Sequence, residues 1–353
     1  MRELTGGKYW GMRRLAGAGG TLAMLATDQR PPIMAMIRER TGRAATFAEI
    51  AEVKRMLVAA LGGSASAVLT DPVWGYAASF PELSPGRGLI VTLEDHAYEE
   101  GPGGRRSAAI AGWSAEKIRR LGADAVKLLA WYRPDAAPEV IAHQRAFVAG
   151  AREACRAADI PFVLELLTYP FARERGAGAE YASDAGRRAE LVLGSIPPFG
   201  GDGVDLWKLE SPVAAESLPD ADGKGAAWAQ ALFDGLGAVT PGPWVMLSGG
   251  ADFARFRNVL VYACRAGASG FLAGRSIWAD AFRAWPERAE VRRALGEVAR
   301  KRLEALAELA ERMGTPWHLH PRFGPGGPVL ADDGEGFARR YGAEMGTRAA
   351  VPA

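Results

Sequence analysis

The chain has 353 residues, 48% of them hydrophobic and 24% charged, with a formal net charge of +2. This is the make-up of a soluble, enzyme-sized globular chain, long enough for a barrel-type α/β domain with an extension. So slight a basic balance gives no reason to expect nucleic acid or a membrane surface as partner, and no apolar run reaches the ~18 residues of a membrane span.

Residues before 20 read as an N-terminal helix that closes one end of the fold. The first short apolar run is "TLAMLATDQR" (21–30), followed by a helix that Thr46 caps, "AEIAEVKRMLVAAL". Further runs are "SAVLTDP" (66–72), "GLIVTLED" (88–95) and "ADAVKLLAWYRP" (123–134). An amphipathic stretch (138–159) carries Val140, Phe147, Ala151 and Ala154 at roughly helical spacing. Then come "PFVLELLTYP" (161–170), "VDLWKLESP" (204–212), "WVMLSGG" (244–250), a helical segment (253–268) and "SGFLAGRSIW" (269–278). The stretch after 315 is rich in Pro and Gly and reads as irregular.

Strands that alternate with helices imply parallel pairing, because each return crossover is filled by a helix. Eight such units predict an α/β fold, a single (β/α)8 TIM barrel over residues 1–315 with a C-terminal extension over 316–353. A doubly wound open sheet is the runner-up. Cys155 and Cys264 lie far apart without CxxC spacing and read as buried thiols of a reducing cytosol. No basic-then-apolar leader precedes the fold, so a cytoplasmic location is expected. His96, His143, His318 and His320 form no HExxH motif, and "HLH" (318–320) has no evident third ligand, so no metal is expected.

Side chains two apart on a strand share a face. That rule groups Asp28 with Leu22, Met24 and Ala26; Lys127 with Ala125; Glu165 with Val163; and Lys208 with Leu206 and Glu210. If these faces point inward, Lys127, Glu165 and Lys208 come from consecutive strands, and Asp28 enters from the first strand across the mouth. The C-terminal ends of barrel strands are where such enzymes keep their chemistry. A second amine nearby, together with desolvation, favours the neutral form of one lysine. A neutral amine can attack a ketone and form a Schiff base, an electron sink for C–C cleavage, while neighbouring carboxylates move protons. Lys208 is the expected nucleophile and Lys127 its partner.

The runs at 244–250 and 269–278 end in "SGG" and "GR". Glycines there let backbone N–H groups approach a ligand, and the loops after the last two barrel strands commonly hold phosphate. Arg275 adds a fork-shaped cation that suits phosphate oxygens.

With these residues in place the chain resembles the class I tagatose-1,6-bisphosphate aldolases and the related sulfofructosephosphate aldolases. The stretches that carry the resemblance are "LATDQR", "SAVLTDP", "VKLLAWYRPD", "LELLTYP", "DLWKLESP", "PWVMLSGGADFARF" and "AGASGFLAGRSIW", in order from about residue 20 to 280. The resemblance implies an imine on Lys208, with Lys127 as its amine neighbour and Glu165 as acid/base carboxylate. It implies that Asp28 contacts substrate hydroxyls near the reacting carbons, with Gln29 also at the substrate; Arg30, Arg105 and Arg106 are candidates for binding a second phosphate or a sulfonate, against the plainer reading of solvated arginines. Ser248, Gly249, Gly274 and Arg275 fall where the phosphate of dihydroxyacetone phosphate would be held. It implies no cofactor and no metal. Strand 5 departs from the family in reading "LELLTYP", and the loop 94–107, with Arg105 and Arg106, has no clear counterpart.

The expected activity is reversible cleavage of a phosphorylated ketohexose, such as tagatose 1,6-bisphosphate, into dihydroxyacetone phosphate and glyceraldehyde 3-phosphate. The alternative substrate is 6-deoxy-6-sulfofructose 1-phosphate, giving dihydroxyacetone phosphate and sulfolactaldehyde. A sensor that keeps the pocket without turnover is the reading from another class, and it has no need of all four charged residues. The expected partner is a small sugar phosphate, and a homo-oligomer is expected because barrel enzymes often associate through their outer helices.

Overall fold

The computed structural model describes residues 3–171, 174, 185–201, 203–332 and 334–342. Eight strands close into a parallel barrel: β1 (Leu22–Ala26), β2 (Ala67–Thr70), β3 (Gly88–Thr92), β4 (Ala125–Trp131), β5 (Phe162–Leu167), β6 (Leu206–Leu209), β7 (Trp244–Met246) and β8 (Gly270–Ala273). Their spatial order follows the chain, and β8 pairs with β1 to complete the ring, with Gly270 opposite Leu22. All eight coincide with the apolar runs of the sequence. The closed ring excludes the open-sheet alternative.

Helices return the chain between strands and cover the outside. The helix Phe47–Leu61 starts at a full capping box: Thr46 accepts from the backbone of Glu49, whose carboxylate accepts in turn from the Thr46 backbone. Pro138–Ala157 buries Val140, Gln144, Val148, Ala151 and Cys155 on one stripe, as the 3.6-residue period requires. The large outer core between sheet and helices takes the outward strand residues, among them Val126, Leu128, Leu164 and Trp207.

The inward residues form a separate cluster. Leu22, Met24, Leu69, Ile90, Ala125, Val163, Leu206, Val245 and Leu272 fill the barrel interior. Below them the helix Gly6–Leu15 contributes Met12 and Leu15, and the stretch after 315 contributes Trp317 and Phe323. This C-terminal stretch is irregular apart from short turns, a helical turn and the two-residue strand Val329–Leu330, which pairs in parallel with Glu3–Leu4. The floor of the barrel is therefore plugged by both ends of the chain. His320 is held there as a local acceptor for the Arg322 backbone N–H, at 3.3 Å.

After β3 the chain departs from a plain βα connection. Glu94–Gly101 and Gly104–Ala109 form an antiparallel hairpin at the barrel mouth.

Candidate active site

The alternation that fills the barrel with apolar side chains changes character one layer higher. Above Ala26, Ala125, Val163 and Leu206 the next inward positions are Asp28, Lys127, Glu165 and Lys208, all buried. Register aligns them: Glu165 lies directly opposite Lys208 on β6, while Lys127 is opposite Val163, one inward position below Glu165. The strand stagger of a barrel brings the three side chains to one level.

Lys208 Nζ lies 2.9 Å from Glu165 Oε1, and Lys127 Nζ lies 2.7 Å from Glu165 Oε2. Lys127 also reaches Asp28 Oδ2 at 3.1 Å and Glu94 Oε1 at 2.8 Å. Arg30 donates through Nη1 to the Glu94 carbonyl and through Nη2 to its carboxylate, both at 3.1 Å. Three basic and three acidic side chains, all buried, thus balance one another. Buried charges persist only when paired in this way.

Burial and charge oppose each other at Lys127, Glu165 and Asp28. Burial alone would lower Lys127, but Glu165, Glu94 and Asp28 outweigh it and raise its pKa well above the ordinary lysine value. Burial likewise pushes the Glu165 carboxyl up, yet Lys127 and Lys208 prevail and hold it below the usual range. Asp28 follows the same logic, with burial overcome by Lys127, Lys208 and Arg30, and lies far below the ordinary aspartate value. The structure revises the expected amine pair: Glu165 bridges the two lysines, and three carboxylates clasp Lys127 and favour its charged form. Lys208, by contrast, has one ion partner among the described residues.

These groups line a cavity of about 520 Å³ at the C-terminal mouth. Of the ten residues singled out from sequence, Asp28, Gln29, Arg30, Lys127, Glu165, Lys208 and Arg275 line it. Ser248 and Gly249 sit half-buried at the end of β7. The adjoining Gly250 has a left-handed backbone (φ 85°), and a Cβ there would come within 3.2 Å of Arg275 Nη1. The loops after β7 and β8 therefore meet at that arginine. Gly274 is buried, and a Cβ on it would stand 2.5 Å from the Ala26 carbonyl and 2.8 Å from Gln29 Nε2, so only glycine lets β8 pass so close to the Asp28–Gln29 segment. Gln29 Oε1 is buried without a hydrogen-bond partner.

Two features escaped the sequence reading. Glu94 continues the inward row Ile90, Thr92 of β3, so the parity rule that found Glu165 also reaches it. Lys54 lies at the centre of the apolar helix face Ile50, Leu57, Leu61. It is fully buried, pairs with Asp71 Oδ2 at 2.7 Å, and donates to the carbonyls of Thr27 and Gln29 at 2.6 and 2.8 Å. These two carbonyls flank Asp28, so Lys54 fixes the backbone that aims the Asp28 carboxylate. Among the described residues, no group of three or more His, Cys, Asp or Glu is arranged to hold a metal ion. No helix among them is long and apolar enough to cross a membrane.

The profile of the DeoC/LacD family aldolases matches residues 22–280, the whole barrel from β1 to the end of β8. The chain belongs to the DeoC/LacD aldolase family. It is accordingly an aldolase, a C–C bond lyase. Curated relatives of this family member include a tagatose 1,6-diphosphate aldolase of Streptococcus mutans, 30% identical over 87% of this chain and 96% of the relative. Another from Streptococcus agalactiae is 31% identical over 89% of this chain and 98% of the relative. Among solved structures, a fructose-bisphosphate aldolase from Plasmodium falciparum superposes with a TM-score of 0.64 at 15% identity, covering 89% of this chain and 97% of the other. An archaeal fructose 1,6-bisphosphate aldolase gives 0.53 at 18% identity, covering 86% and 98%. At such identities these two speak for the barrel fold alone.

Proposed function

We propose that this DeoC/LacD aldolase works through an imine on Lys208 and reversibly cleaves tagatose 1,6-bisphosphate into dihydroxyacetone phosphate and glyceraldehyde 3-phosphate. The observation that carries the reading is the Lys208–Glu165 contact inside the cavity, with Glu165 kept ionised by Lys127 on its other side. The substrate is suggested by the names of the curated relatives.

Glu165 takes one proton from the Lys208 ammonium, the freed nitrogen attacks the C2 ketone, and a second nitrogen proton passes to the ketone oxygen to give the carbinolamine. The same carboxyl returns a proton to the C2 hydroxyl of the carbinolamine, water departs, and the cationic imine remains. Asp28, ionised and fixed from behind by Lys54, accepts the proton of the C4 hydroxyl as the C3–C4 bond breaks. The bonding pair moves into the imine to give an enamine, and the aldehyde leaves. Protonation at C3 and hydrolysis release dihydroxyacetone phosphate and restore the amine. Lys127 stays protonated throughout and holds Asp28, Glu94 and Glu165 in place. Arg275 and the Ser248–Gly249 and Gly274 backbone receive the phosphate on C1.

Borohydride reduction in the presence of dihydroxyacetone phosphate, followed by intact-mass and peptide mapping, tests the chemistry. The expected adduct is on Lys208; an adduct on another lysine, or none on the folded protein, removes the assignment. Parallel kinetics on tagatose 1,6-bisphosphate and 6-deoxy-6-sulfofructose 1-phosphate test the substrate, and a large preference for the sulfonate overturns it.

A further inference from the structure

The cavity does not stop at the charged layer. It runs from Arg275, at the ends of β7 and β8, to Tyr98, Arg105 and Trp131 on the opposite rim. In a closed ring of eight strands in chain order, β3 and β4 stand across from β7 and β8. Trp131 ends β4, and Tyr98 and Arg105 belong to the hairpin that follows β3. Arg105 and Arg275 therefore face each other over the mouth, with Lys208 and Glu165 in the charged layer beneath.

The setting of Arg105 is unusual for an arginine on a loop. Its guanidinium carbon lies 4.5 Å from the Tyr98 ring centroid, 4.6 Å from that of Trp131 and 4.8 Å from that of Tyr169. Its side chain is only 9% exposed, and Nε pairs with Glu100 Oε1 at 3.1 Å. The Arg105 backbone N–H donates to the Tyr169 hydroxyl at 2.9 Å. Gly104 makes this approach possible: its φ is 132°, and a Cβ there would stand 2.3 Å from that hydroxyl. The hairpin is thus tailored to hold one guanidinium still.

Aromatic rings engage the faces of a guanidinium and leave its in-plane N–H groups free. Among the described residues, the Arg105 guanidinium is paired with Glu100 through Nε, and its Nη1 and Nη2 groups donate no hydrogen bond. The other cations on this side differ. Arg30 has both Nη groups committed to Glu94, and Arg106 is a third exposed and 3.8 Å from Glu99. A cation whose side chain is already immobilised loses little further entropy on binding an anion.

We propose that Arg105 is the specificity-determining residue for the far end of the substrate, where it takes a tetrahedral anion, a phosphate or sulfonate, on the terminal carbon of the ketose. The inference rests on the reading of the cavity as a ketose 1-phosphate site. Substrates with an anion at each end span the mouth from Arg275 to Arg105, and this places C2 over Lys208.

The test compares kcat/KM for a ketohexose 1,6-bisphosphate, its 6-deoxy-6-sulfonate counterpart and the ketohexose 1-phosphate, in wild type, Arg105→Gln and Arg105→Lys. The ratio of doubly to singly anionic substrate should fall on the order of 10²-fold in Arg105→Gln, chiefly through KM, as expected for one charge-assisted contact. Arg105→Lys, which keeps the charge but not the fork, should recover part of the ratio. The substrate whose ratio falls more in Arg105→Gln, phosphate or sulfonate, identifies the native anion. Equal losses on all substrates, which leave the ratio unchanged, would show that Arg105 only braces the hairpin, and unaltered kinetics on all of them would show that the anion is held elsewhere; either overturns the proposal. Borohydride trapping of dihydroxyacetone phosphate is measured on the same samples. Wild type that traps nothing brings down the aldolase reading and this inference together. Normal trapping with an unchanged ratio brings down the inference alone.

Discussion

The two ends of the barrel interior are built by the same strand alternation and yet differ completely. At the floor, inward side chains such as Met24, Leu69, Val163 and Leu206 meet Trp317 and Phe323, and the space is closed. One layer above, the same faces present Asp28, Lys127, Glu165 and Lys208, and the space opens into a cavity of about 520 Å³. The floor derives its stability from burial, which needs no direction. The mouth is a set of charges that persist only because each has a partner 2.7–3.1 Å away. The contrast implies that changes at the mouth act mainly on chemistry and changes at the floor mainly on stability.

The sharpest way to break that division is Lys208→Met. Turnover should fall by several orders of magnitude, because a covalent step has no substitute. Thermal stability should change little compared with activity, since a similar volume is retained and a single ion pair is lost. Retained activity above about 1% of wild type would move the nucleophile to another lysine.

Lys127→Met sharpens the comparison, because here the mouth should behave partly like a core. Removing the cation strips Asp28 of its ion partner and leaves Glu94 with Arg30 and Glu165 with Lys208 alone, which should cost about 3–5 kcal/mol in urea unfolding. Glu165 and Asp28 lose the strongest of the cations that oppose burial, so both pKa values should rise. The acid limb of the kcat–pH profile should then move to higher pH, and kcat should fall by roughly 10²-fold or more. A profile superimposable on wild type would mean that Lys127 does not set the Glu165 charge.

Trp317→Ala tests the floor. A fully buried indole removed from the plug should cost about 3–5 kcal/mol of unfolding free energy, while kcat at a temperature well below the transition stays within a few-fold of wild type. A large loss of kcat without loss of stability would erase the distinction between the two ends.

The smallest effect concerns His320, also at the floor. Burial, aided by the Arg322 charge, lowers its pKa from 6.5 to about 4. A histidine whose folded pKa is depressed adds stability above its unfolded value and loses it as pH falls toward the folded one. The contribution should be present above about pH 6.5 and fade between there and pH 4. In His320→Gln the melting temperature should therefore depend less steeply on pH in that window. An equal slope in both proteins would show that the imidazole is not kept neutral by the fold.

Much of this was legible from the chain. Short apolar runs at regular spacing mark the eight strands, and parity along each strand groups Lys127, Glu165, Lys208 and Asp28 from the sequence alone. The same rule extends to Glu94, which was passed over because "EDHAYEEGPGGRRS" reads as a loop; it is the start of a hairpin whose pairing, Glu100 opposite Arg105, is non-local to any periodicity. Lys54 was hidden for a different reason. A lysine on an apolar helix face signals a buried partner, but Asp71 and the carbonyls beside Asp28 lie on other elements, and only packing brings them together.

The sequence by itself determined the barrel, its apolar lining and the identity of the four charged residues, because periods of two and 3.6 residues are local properties of the chain. The tertiary structure decided how those charges are shared. Strand stagger set Glu165 between two lysines, ring closure brought Asp28 within 3.1 Å of Lys127, and the hairpin set Arg105 among three aromatic rings. Such contacts depend on distances between elements far apart in sequence, and charge interactions change steeply with distance and burial. How many carboxylates surround each lysine is decided there: three at Lys127 and one at Lys208 among the described residues.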